Sequence, residues 1–117
     1  MRFREVDERD SSWENDHPVF RVYLFRGGER PNSSWTTWTY DVEDGDVLDV
    51  AQWAQTKVGD SGLYAIALVS GETAEGSSDK GLIWLIGNDA NAEPCTDREI
   101  AAHGRMAALR GQRITYE

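Results

Sequence analysis

The sequence predicts an α+β fold: a two-layer sandwich in which a mixed, mostly antiparallel sheet of four to five strands carries two helices on one face. Three observations predict it. Four short segments rich in Val, Ile, Leu and aromatic residues read as strands. Two longer segments repeat their apolar residues at helical spacing. The six follow the order β-β-α-β-β-α, and 117 residues suit a single domain spanning 1–117.

Residues 1–17 are polar and charged, with isolated Phe3, Val6 and Trp13. They read as a flexible arm, or as an edge strand through residues 3–6. Residues 19–25 alternate as a strand, with Phe20, Val22 and Leu24 on one face and Arg21 and Tyr23 on the other. A loop rich in Gly, Pro and Asn leads to a second strand at 35–42. Its apolar face is Trp38, Tyr40 and Val42; its wet face holds Thr37 and Thr39. A loop this short predicts an antiparallel hairpin.

Asp44 or Asp46 caps the first helix, where a carboxylate also suits the positive end of the helix dipole. Val47, Val50, Ala51, Ala54 and Val58 form its stripe, and Gly59 suits its end. Residues 63–69 and 82–86 are apolar on both faces, which predicts two central strands joined by a Gly-, Ser- and Glu-rich loop. A crossover through the helix makes the second and third strands parallel. Thr96 and Glu99 form a capping box for a second helix that runs to about Arg110, with Gly111 as its stop. The tail reads as a last short strand through Ile114 and Tyr116.

Lys and Arg number 12 against 21 Asp and Glu, a formal net charge of −9. Such a surface repels nucleic-acid phosphates and anionic membranes and attracts basic proteins. The single cysteine, Cys95, excludes an internal disulfide and a zinc site built on several thiolates. A reducing, cytoplasmic compartment fits it. Frequent Ala, Gly and Asp, with Arg well above Lys, suit a GC-rich bacterial source. No apolar run approaches the roughly 20 residues of a membrane span. No glycine-rich phosphate loop or nucleophile elbow is spelled, and no cofactor or metal is assigned.

The acids Asp41, Glu43, Asp44, Asp46 and Asp49 are dense enough to suggest a hard cation. The calcium-loop pattern fails, because Gly45 stands one position early and Gln52 replaces the closing Glu. Helix capping and solubility account for these acids. Of five tryptophans, Trp38 and Trp84 fit a core, whereas Trp13, Trp35 and Trp53 do not fit one as easily. Exposed indoles among charges have the composition of an interface.

The sequence thus favours a protein-binding or accessory domain over self-contained catalysis. Its surface would comprise Trp35, Asp41, Glu43, Asp44, Asp46, Asp49 and Trp53, offered to a basic protein partner. Small size and acidity would also suit an immunity- or antitoxin-like role. Residues 41–60 carry six acids and one base, whereas 98–117 carry four bases and two acids, so head-to-tail self-association is also open. The alternative is a small enzyme or ligand-binding domain with its site at loop 88–96. Asp89, Asn91, Cys95 and Thr96 would lie at a helix start, with His17 brought to the thiol as its base. His103 lies roughly 12 Å along the helix axis from Cys95, out of its reach.

Overall fold

A computed structural model describes residues 1–28, 33–70 and 80–113. Strands β1 (Phe20–Arg26) and β2 (Thr36–Val42) precede helix α1 (Val47–Val58); β3 (Leu63–Ser70), β4 (Gly81–Ile86) and helix α2 (Asp97–Leu109) follow. The fold is the small α+β sandwich that the pattern predicts, in the same element order.

One sheet runs β2-β1-β3-β4, and every neighbouring pair is antiparallel. β2 and β3 do point the same way, as their crossover through α1 predicts. β1 lies between them, however, so no parallel ladder forms. β1 pairs with β2 on one side and β3 on the other, and it is covered on both faces: Phe20, Val22 and Leu24 are buried on one and Phe25 on the other. β3 is the second interior strand, buried on both faces from Leu63 to Ala67. β4 departs from expectation. Its apolar run predicts a central strand, yet it forms an edge. Ile66 faces Ile86 while Ala67 faces Trp84, so Leu85 is an extra residue and β4 bulges there.

α1 covers one face. Val50, Ala51, Ala54 and Val58 meet Phe20, Val22, Leu24, Tyr64 and Ile66 in one buried cluster. Val22 and Ile66 are direct cross-strand partners, both fully buried. Burial of each such side chain stabilises the fold by about 1.5–3 kcal/mol. Asp46, not Asp44, is the cap. Its carboxylate accepts from the Asp49 amide at 2.9 Å, and the Asp49 carboxylate accepts from the Asp46 amide at 3.0 Å. At the other end Arg26 of β1 donates to the Val58 and Lys57 carbonyls at 2.9 and 2.6 Å. Those carbonyls have no partner within the helix, and a cation suits that end of the dipole.

α2 differs from expectation in placement: it does not share α1's face. Met106 packs on the reverse side of the sheet, against Phe25, Leu63 and Ala65. The stripe Ala102, Met106 and Leu109 faces inward, while Ile100 is exposed. The predicted capping box is present, with both Thr96–Glu99 hydrogen bonds at 3.1 Å. Gly87, at φ +71°, turns the chain out of β4, and a Cβ there would stand 2.5 Å from Met106 Cγ.

The predicted strand at residues 3–6 does not form; residues 1–17 are exposed and contain one 3₁₀ turn at Glu8–Asp10. The predicted tail strand lies outside the described residues. Among the described residues no helix is long and apolar enough to cross a membrane.

Candidate functional site

The most distinctive surface is a groove between β2 and α1. Alternation along β2 turns Trp38, Tyr40 and Val42 toward α1. From α1, Asp49, Trp53 and Lys57 recur four residues apart and so share one helix face. Trp53 meets Tyr40 edge-on, with ring centroids 5.3 Å apart and planes at 83°. α1 leaves this edge partly uncovered: Trp38 is 44% exposed and Trp53 37%. Leu24, Arg26, Trp38, Tyr40 and Lys57 line a hollow of about 270 Å³. Arg26, bonded to the α1 carbonyls, and Lys57 both bring positive charge to this end. Exposed Glu43 and Asp44 stand at the other, before the helix, with Asp44 in the left-handed region at φ +62°. Asp tolerates that conformation better than most residues.

The structure divides the predicted binding residues. Glu43, Asp44, Asp46, Asp49 and Trp53 gather around α1, where Asp46 and Asp49 also form its cap. Trp35 and Asp41 lie on the opposite face of the sheet. Asp41 accepts two hydrogen bonds from the Arg21 guanidinium, at 2.7 and 3.1 Å, which hold its carboxyl below the usual carboxylate range. Trp35 is half-buried near Phe25 and Met106, with the Arg110 guanidinium 5.6 Å over its ring.

Sequence reasoning assigned Trp38 to the core and overlooked it for the site, along with Tyr40. The available signal was the other face of β2, Thr37, Thr39 and Asp41, whose polarity marks an edge strand with water on one side. Trp84, also assigned to the core, is partly exposed on β4, where it meets Tyr23 with centroids 5.2 Å apart.

The 88–96 loop acts as a strap. The Asn91 amide accepts from the Trp35 N–H at 2.9 Å and donates to the Trp35 carbonyl and Thr37 hydroxyl, both at 3.0 Å. The Asp89 carboxylate accepts from the Asn91 backbone N–H at 2.9 Å, and the Asp89 carbonyl lies 3.1 Å from His103 Nε2. Ala90 packs against the cluster around Phe25 and Met106. Thr96 is the α2 cap. These groups tie β2, across the reverse face, to α2. Cys95 is exposed, its thiol 3.4 Å from the Glu93 carbonyl. His17 lies elsewhere, in a cleft with Pro18, Phe20 and residues 44–47, and pairs with Asp16 at 3.4 Å. The structure therefore places His17 beside the start of α1 and not beside the thiol. Among the described residues no three His, Cys, Asp or Glu side chains group as a metal site would.

No protein-family model, curated protein or solved structure matches this chain.

Proposed function

We propose that this domain binds a basic segment of another protein in the groove between β2 and α1. One observation carries the reading: two half-open tryptophans, Trp38 and Trp53, flank Tyr40 in a groove whose far end carries the exposed Glu43 and Asp44. Indoles give wide, rigid contact area and attract cations to their faces. A Lys or Arg of the partner sits over a ring while its neighbour meets a carboxylate. The net charge of −9 draws such a partner in and raises the encounter rate. The apolar floor selects a segment that carries an apolar residue next to its basic ones. Covering a basic surface is also what an immunity- or antitoxin-like role would require.

Selection of displayed random peptides on the immobilised protein tests this. The selected peptides are expected to join Lys or Arg to aromatic or aliphatic residues. Their affinity should fall at least about tenfold in Trp38→Ala and in Trp53→Ala. Peptides without basic residues, or peptides indifferent to both substitutions, would overturn the reading.

A further inference from the structure

We infer that this chain associates with itself, the N-terminal arm of one copy lying on the β4 edge of the next. The contact is separate from the β2–α1 groove and does not rest on its function.

β4 and α2 enclose an open groove of about 820 Å³, whose lining includes Trp84, Leu85, Ile86, Ala102, Arg98 and Arg105. Edge strands ordinarily avoid pairing through charged residues or proline. β4 has neither, and Ile83 and Leu85 are 50% and 44% exposed. Of the residues lining the groove, Glu99 alone is acidic against Arg98 and Arg105. The groove is thus locally positive on a chain of net charge −9.

The arm has the complementary character. Residues 1–17 carry six acids and three bases. They leave Phe3 87% exposed, with Val6 and Trp13 also open to solvent. Phe3, Glu5 and Asp7 share one side of an extended chain, Arg4 and Val6 the other. Laid along β4, Phe3 meets the Trp84 side, Glu5 and Asp7 face Arg98 and Arg105, and Val6 meets Ile83. The bulge at Leu85 confines the regular edge to residues 81–84. That length suits residues 3–6 and is too short for two copies of β4 to pair along their whole run.

None of residues 1–17 is among those lining this groove, and all of them are exposed. The chain thus presents an open groove and an uncovered arm together, and a head-to-tail contact between copies covers both.

Two charge reversals in the full chain test this: Glu5→Lys with Asp7→Lys on the arm, and Arg98→Glu with Arg105→Glu on the groove. All four residues are exposed, and circular dichroism checks each fold. In sedimentation at low salt over a concentration series, the wild type is expected to associate. Each variant alone should associate at least about tenfold more weakly. Their equimolar mixture should regain the wild-type strength, because every arm then meets a groove of opposite charge. Phe3→Ser, outside the folded body, should weaken association without any change of charge. A wild type that stays monomeric, as it would if each arm folded onto its own groove, overturns the inference. So do variants that associate like the wild type, or a mixture no stronger than its components.

Discussion

β2 and β4 close the same sheet on opposite sides, yet they meet water with different chemistry. On β2, the face away from α1 is Thr37, Thr39 and Asp41, the last held by Arg21 of the neighbouring strand. Its other face carries the aromatic groove. β4 has no charge on either face, and its apolar residues are half-covered by α2 at best. The contrast teaches that apolar residues on both faces report what covers a strand, not where it stands in the sheet. β3 and β4 read alike in sequence, and only β3 lies inside.

That contrast can be broken first by comparing β3 with β4. Ile66→Ala should lower stability by about 3 kcal/mol, because Ile66 is fully buried and the site cannot collapse around the loss. Ile83→Ala, at an exposed position, should lower it by under about 1 kcal/mol. Denaturant midpoints measure both; equal losses would mean that β4 is covered on both faces after all.

A smaller effect is expected where β4 ends. Gly87→Ala places a Cβ against Met106 at a positive φ and should destabilise by about 2 kcal/mol. A neutral result would show that Met106 can swing aside, and that α2 is loosely seated on the reverse face. The two caps come next. Asp46→Ala beside the β2 edge and Thr96→Ala before α2 should each remove about 1 kcal/mol, read from thermal unfolding.

The smallest effect concerns the ion pair that marks β2. Arg21 lowers the pKa of Asp41, so the pair adds stability above the usual carboxylate range. That stability is lost as pH falls through the folded-state pKa of Asp41. Asp41 is partly exposed, so the contribution is under about 1 kcal/mol. The difference in urea midpoint between wild type and Asp41→Asn should therefore shrink steadily from pH 6 to pH 3. A difference that does not change with pH would mean that the pair adds nothing through charge.

The element order, the α2 capping box and the α1 stripe, apart from the exposed Val47, were legible in the sequence because each is a local pattern. Thr96 and Glu99 are three residues apart and need no tertiary knowledge. Sheet order was not legible, since β1 reaches the centre through pairing with β3, some 40 residues away. The site was half legible for the same reason. Acids and Trp53 cluster along the chain, whereas Trp38 and Tyr40 join them only because α1 crosses back beside β2. Trp35 is adjacent in sequence yet falls on the other face by alternation. Asn91 gave no signal in the sequence that it would bind Trp35 and Thr37 across the reverse face.

The measurement that bears most directly on the account is the affinity of one selected basic peptide, by fluorescence anisotropy of a label, for three variants. Trp38→Ala and Trp53→Ala are predicted to weaken it at least about tenfold, and Trp84→Ala to leave it at the wild-type value. Loss at Trp84 with no loss at Trp38 or Trp53 would contradict the account and move the binding surface to the β4 edge.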